Sequence, residues 1–128
     1  VKARLKNTAP FAQKDGQEMG FRNKDMHVAV VVLTWNAAAY ALACLHSVVQ
    51  QHAPPDTLLV VDNGSSDQTV ARVQREIPSA HVLRNTSNVG FAAGMNQGVT
   101  ALQANSTPPD VVVLVNQDTL LDGHFLDA

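Results

Sequence analysis

The stretch VVVLVNQDTLL, Val111 to Leu121, decides the fold. Five apolar β-formers, Val111 to Val115, run into the polar triplet Asn116-Gln117-Asp118 and then Thr119. An unbroken Val/Leu run marks a strand covered on both faces, the habit of a parallel sheet flanked by helices. In open sheets of that kind, ligands sit just beyond the carboxyl ends of the strands. Asp118 therefore stands where a ligand, or a metal carrying one, is expected.

The same grammar repeats upstream. HVAVVVL, from His27, TLLVVD, from Thr57, and HVLR, from His81, read as three further strands. Between them lie helical patterns. Ala37 to Gln51 carries Leu42, Leu45, Val48 and Val49 on one face, with Asn36 as a fair N-cap. Pro54 and Pro55 stop it. Asp67 to Glu76 buries Val70 and Val73, with Ser65 and Gln68 placed as a capping box. Phe91 to Ala104 is the third helix, ended by NSTPPD. The order β-α-β-α-β-α-β predicts an α/β fold with a parallel sheet and right-handed crossovers. Residues 1–25 lack periodic apolar positions and read as a flexible N-terminal tail; the domain is expected over 26–128.

Composition narrows the function. The chain of 128 residues is 45% hydrophobic and 16% charged, suited to one small domain with a core. Net charge is −2, and beyond residue 25 the only Lys or Arg residues are Arg72, Arg75 and Arg84. A basic footprint for nucleic acid is missing from the folded part. The single Cys44 cannot form an internal disulfide; a buried structural thiol in a reducing, cytoplasmic setting is expected. No apolar run approaches the ~20 residues of a membrane span.

Polar groups gather after the strands: Thr34-Trp35-Asn36, Asp62-Asn63, Asn85 to Gly90, and Asn116 to Asp118. Four strand ends and four polar clusters converge on one edge. Asp62 can accept from a ribose hydroxyl or a base N–H, or it can close its own loop as an Asx-turn; the sequence leaves both open. Asp67 stabilises a helix start by charge–dipole attraction. Gly90, Gly94 and Gly98 recur at helical spacing, which allows close helix–sheet packing and is not a G-x-G-x-x-G fingerprint. Asn88 and Asn96 suit hydrogen bonding rather than proton transfer. Asp118 is the oxygen ligand that Mg²⁺ or Mn²⁺ takes beside substrate phosphates, or else a cap for the next element. His124 reads as a solvent-facing side chain.

Together, VVVLTWN, LLVVDNGSSDQT, NVGFAAGMNQG and VVVLVNQDT resemble the family 2 glycosyltransferases, closest to their rhamnosyltransferase-like branch. The likeness runs from Val28 to about Asp122. It implies a GT-A, Rossmann-like fold that binds a nucleoside-diphosphate sugar, with UDP- or dTDP-sugars as donors. It implies metal-dependent, inverting transfer to a saccharide or lipid-linked acceptor, as in cell-wall or polysaccharide biosynthesis. The setting expected is the cytoplasm, with the inner face of the cell membrane as the place of a lipid-linked acceptor. By resemblance, Thr34, Asn36 and Asp62 hold the base and ribose. Asn88, Gly90 and Asn96 lie near the donor. Asp118 matches the last Asp of the family's D-x-D motif and holds Mg²⁺ or Mn²⁺ on the diphosphate. Asn116 replaces the first Asp of many members, and Gln117 the Pro usual in this branch. Asn keeps an oxygen acceptor without the charge, so Asn116 is expected on the sugar or nucleotide. Family members run well past 200 residues and carry the catalytic base beyond the metal motif. The chain is therefore expected to be the donor-binding, N-terminal part of such an enzyme, with a catalytically inactive nucleotide-sugar-binding or interaction module as the alternative. A nucleotidyltransferase would carry a Gly-rich, basic loop after the first strand, which LTWNAAAY lacks.

Overall fold

The computed structural model describes residues 2–4 and 25–127. In chain order the elements are β1 (Lys2–Arg4), β2 (Val28–Thr34), α1 (Ala38–Val49), β3 (Thr57–Asp62), α2 (Thr69–Glu76), β4 (His81–Arg84), α3 (Phe91–Gln103) and β5 (Val111–Asn116). The strand order is β1-β5-β2-β3-β4. From β5 to β4 the sheet is parallel, as the apolar runs predict.

Alternation explains why those runs are unbroken. Val30 and Val32 of β2 point to one face, where Val60, Val113 and Val115 join Leu42, Leu45 and Val48 of α1 and Val73 of α2. Ala29 and Val31 point to the other, with Leu59, Val61 and Val112 against Met95 and Leu102 of α3. Side chains alternate with period two, so a strand covered on both sides must be apolar at every position. Each fully buried Val contributes roughly 1.5–3 kcal/mol of transfer free energy. The third helix comes unusually close to the sheet. A Cβ on Gly94 would meet Leu33 Cδ1 at 2.6 Å, and one on Gly98 would meet Val31 Cγ1 at 2.8 Å. Close packing is what these two glycines permit.

Several local expectations are corrected. Asn36 does not cap α1. The N-cap residue is Ala37, with no side-chain bond. The Asn36 side chain instead accepts from the backbone N–H groups of Ser66 (2.8 Å) and Asp67 (3.3 Å), thirty residues away. Asn36 adopts φ +45° there, a conformation that Asn tolerates better than most residues. The Ser65–Gln68 capping box does not form either, because α2 starts at Thr69. Asp67 accepts from Thr69 N at 2.9 Å and Thr69 Oγ1 at 2.5 Å, and those bonds hold its carboxyl below the usual carboxylate range. Most of the tail expected over 1–25 lies outside the described residues. Lys2–Arg4 depart from that expectation: they pair antiparallel with Val111 to Val113 and cover the edge of β5. Among the described residues no helix is long and apolar enough to cross a membrane.

Candidate functional site

The crossovers set the place. From β2 the chain moves outward through β3 to β4, with α1 and α2 on one face; α3 then returns it on the other face to β5, on the opposite side of β2. The order reverses between β2 and β5, and the crevice beyond those two carboxyl ends is the usual ligand position of such sheets. Thr34 pairs in register with Asp62, Leu33 with Asn116, and Asp62 with Arg84, so the polar groups share one edge.

An open cleft of ≈ 320 Å³ occupies the switch point, lined by Leu33, Thr34, Trp35, Asn63, Asn88, Phe91, Asn116, Gln117 and Asp118. Gln117 bridges the two strands. Its Oε1 accepts from Thr34 Oγ1 at 2.8 Å and from the Trp35 N–H at 3.0 Å. Asn63 anchors the opposite wall. Its Oδ1 accepts from Asn85 Nδ2 (3.2 Å) and Val89 N (3.1 Å), while its Nδ2 donates to Gly90 O (3.1 Å). Trp35 and Phe91 keep 47% and 58% of their surfaces exposed, which leaves apolar faces for a planar or sugar group. A neighbouring cleft of ≈ 340 Å³ is lined by Gly64, Ser65, Arg84, Asn85 and Thr86.

Of the residues expected from the sequence, Thr34, Asn88, Asn116 and Asp118 meet in the first cleft. Asn36, Asp62, Gly90 and Asn96 do not line it. Asp62 is fully buried. Its Oδ2 accepts from Gly64 N (3.2 Å) and Ser65 N (2.9 Å), and its Oδ1 from Ser65 Oγ (2.5 Å). The Asx-turn is therefore what its carboxylate makes, with Arg84 Nε 3.9 Å from Oδ2. Ser65 Oγ also accepts from Asn36 N at 2.8 Å, which ties the loop after β3 to the loop after β2. Gly90 takes φ +92° and its N–H donates to Asn88 Oδ1 at 2.8 Å. Asn96 lies on an exposed part of α3. Trp35, Asn63, Phe91 and Gln117 were not singled out as ligand residues by their spacing. Gln117 had a signal, as the replacement for an expected Pro.

Asp118 is exposed, and among the described residues no hydrogen bond occupies its carboxylate. It follows a turn closed by Thr119 N donating to Asn116 O at 3.1 Å. Beneath that turn Cys44 is wholly buried and its Sγ donates to Asn116 O at 3.5 Å. Burial pushes the thiol up to about 11, and the Asp118 charge adds to the rise. Cys44 is thus a protonated structural thiol at neutral pH. Among the described residues the cleft lining contains one carboxylate, several amide oxygens and no cationic side chain. That donor set fits a hard divalent ion such as Mg²⁺ or Mn²⁺ whose shell is completed by phosphate and water.

Comparison with known proteins agrees with this geometry. Residues 29–127 match the sequence model of Glycosyl transferase family 2. The O-antigen chain rhamnosyltransferase RfbN of Salmonella typhimurium is 31% identical over 99 residues, covering 75% of this chain and 29% of the relative. The mannosyltransferase PcManGT of Pyrobaculum calidifontis, solved with GDP-Man and Mn²⁺, superposes with a TM-score of 0.61 at 28% identity, over 74% of this chain and 28% of that one. TarS of S. aureus, solved with UDP-GlcNAc, gives 0.62 at 28% identity, over 73% and 27%. The chain spans less than a third of each of these proteins. Fold, switch-point cleft and sequence agree: the chain has the GT-A fold and belongs to glycosyl transferase family 2.

Proposed function

We propose that residues 26–128 are the donor-binding part of a metal-dependent, inverting glycosyltransferase that takes a nucleoside-diphosphate sugar and transfers the sugar to a saccharide or lipid-linked acceptor. The observation that carries this is the exposed Asp118 carboxylate at the β2/β5 switch point, which makes no hydrogen bond among the described residues, in a cleft otherwise lined by amides, a hydroxyl and apolar faces. Thr34, Asn88 and Asn116 contact the donor through neutral hydrogen bonds. Trp35 and Phe91 offer the faces against which the nucleoside or sugar packs. Asn36, Asp62 and Gly90 act by holding the loops in shape, and Asn96 acts from α3 only if the donor reaches beyond the cleft.

Asp118, with Asn116 beside it, would hold Mg²⁺ or Mn²⁺. When bound, such an ion offsets the charge that grows on the departing nucleoside diphosphate. Arg84 cannot do this alone from the neighbouring cleft, because its guanidinium already faces Asp62 and Ser65 O. Among the described residues Asp118 is the only titratable side chain in the cleft lining. A metal ligand is a poor general base, so the group that deprotonates the acceptor hydroxyl comes from outside this cleft. A cytoplasmic setting, with lipid-linked acceptors met at the inner membrane face, suits nucleotide-sugar donors and a free thiol.

The test is calorimetric titration of UDP, dTDP and GDP, and of their sugars, into the 128-residue chain with Mn²⁺ and then with EDTA. Saturable binding that requires the cation supports the reading. Failure of every nucleotide to bind in either condition leaves an interaction module.

A further inference from the structure

We propose that His52, His124 and Asp127 form a binding site for a zinc-like divalent transition metal, at the far end of α1 from the donor cleft. The three side chains come from two segments more than seventy residues apart. One potential ligand atom from each lies within 4.8 Å of the others. Asp127 Oδ2 is 2.8 Å from His52 Nδ1 and 3.4 Å from His124 Nδ1. Tetrahedral zinc with bonds of ~2.0–2.1 Å places its ligands about 3.3 Å apart, so small side-chain movements would seat the ion. The imidazole rings are tilted at 40° with centroids 4.8 Å apart, rather than stacked flat.

The backbone already holds the ligands in place. His52 N donates to Gly123 O at 2.8 Å, and Gln51 Oε1 accepts from Leu126 N at 2.9 Å. Gln51, itself 4% exposed, also donates through Nε2 to Asp122 O at 2.5 Å. His124 N donates to Asp122 Oδ1 at 2.9 Å. Preorganised ligands lower the ordering cost of binding. Asp127 Oδ1 is a further signal: the atom is buried and has no hydrogen-bond partner among the described residues. Buried polar atoms normally find one, and a metal bound by both carboxylate oxygens would supply it.

The chemistry separates this site from Asp118. Two imidazoles and one carboxylate suit Zn²⁺, Ni²⁺ or Co²⁺, whereas Mg²⁺ prefers oxygen alone. Asp118 lies beside Cys44, a residue within α1, whereas His52 follows the C-terminal end of that helix. Three ligands leave a position for water, and the ion would pin residues 122–127 to the end of α1.

The experiment titrates Zn²⁺ into the EDTA-stripped, desalted 128-residue chain in excess Mg²⁺. We expect saturable 1:1 uptake with a dissociation constant below about 0.1 mM. His52→Ala and His124→Ala should each weaken it by more than about tenfold, since even partners that only support a ligand change affinity on that scale. Both side chains are largely exposed, at 70% and 67%, so these variants should fold, which circular dichroism checks. Zn²⁺ should raise the melting temperature of the wild-type chain and not of the variants. Asp118→Asn should leave uptake unchanged. Absence of saturable uptake overturns the proposal. So does uptake that survives both histidine variants at wild-type affinity, or that Asp118→Asn abolishes.

Discussion

Two neighbouring loops each begin from a strand that ends near an aspartate, and the two carboxylates have opposite surroundings. Asp62, at the end of β3, is fully buried and accepts three hydrogen bonds from its own loop. Asp118, two residues past β5, is exposed and accepts none from the described residues. The sequence around each is a buried apolar run followed by polar residues, so residue type does not separate them. What separates them is the chain that follows. After Asp62, Gly64 takes φ +83° and turns the backbone N–H groups of Gly64 and Ser65 back onto the carboxylate. After Asp118, the chain leaves along α1, where Leu121 N donates to Ser47 Oγ at 3.1 Å. One carboxylate is used up building its own loop; the other is exposed and engaged by none of the described residues.

The largest test of that contrast is Asp62→Ala. It strands three donors in a buried loop and removes a buried acidic side chain, a loss on the order of 3–5 kcal/mol. The melting temperature should fall by more than about 10 °C. Retention of wild-type stability would falsify the bracing role and return Asp62 to the donor.

Gly64→Ala probes the same brace through the backbone. A Cβ there would meet Ser87 C and Cα at 2.8 Å, in a conformation that L-residues rarely adopt. Strain and displacement together should cost about 2–4 kcal/mol. Gly90 is the control. It has φ +92° but open space around a Cβ, so Gly90→Ala should cost the strain alone, about 1–3 kcal/mol. Urea unfolding of both variants measures the difference, and equal losses would mean that contact with Ser87 is unimportant.

These details mark where the sequence was legible. The strands could be read because period two and burial on both faces leave an unbroken apolar run. Gly94 and Gly98 could be read because helical spacing puts them on one face. Asn36 misled because its amide satisfies donors thirty residues away, which no local capping rule includes. Asp62 stayed ambiguous because an Asx-turn and a ribose contact ask for the same side chain. His124 looked solitary because its neighbour His52 is brought to it only by the return of residues 119–127 along α1.

Cys44 offers a pH test on the exposed side of the comparison. Burial is the main reason its thiol rises from 9.0 to about 11, opposed by the Thr119 backbone and aided by Asp118. Below pH 9 the thiol is protonated in both states, and its contribution to stability is fully present. As pH rises from 9 towards 11 the unfolded chain ionises first, so that contribution is lost. At about 1.4 kcal/mol per pH unit, the loss should be on the order of 2 kcal/mol. Urea unfolding near pH 8 and near pH 10.5, for wild type and Cys44→Ala, isolates it from other titrating groups. A wild type that loses no more than the variant would show the thiol ionises freely.

The smallest effect in free energy bears most directly on function. Asp118→Asn keeps the size and one oxygen acceptor and removes the charge. No hydrogen bond within the described residues depends on that carboxylate, so stability should change by less than about 0.5 kcal/mol. Easing repulsion with Cys44 should even lower the thiol slightly. Binding should respond differently. A diphosphate brings two or three negative charges into a cleft that, among the described residues, is lined by no cationic side chain. If the compensating charge comes from an ion held at Asp118, as proposed, losing that charged ligand should cost on the order of 1–2 kcal/mol, roughly five- to thirtyfold in affinity. The cost should appear only when Mn²⁺ is present and vanish in EDTA. It should be absent for the unphosphorylated nucleoside, whose proposed contacts with Thr34 and Asn88 are neutral. Calorimetry of nucleoside and nucleoside diphosphate, with and without Mn²⁺, on both proteins gives the four comparisons needed. If Asp118→Asn weakens nucleoside and diphosphate alike, the side chain touches the nucleoside and the metal role fails. If it lowers the melting temperature as Asp62→Ala does, the contrast between the two aspartates fails with it.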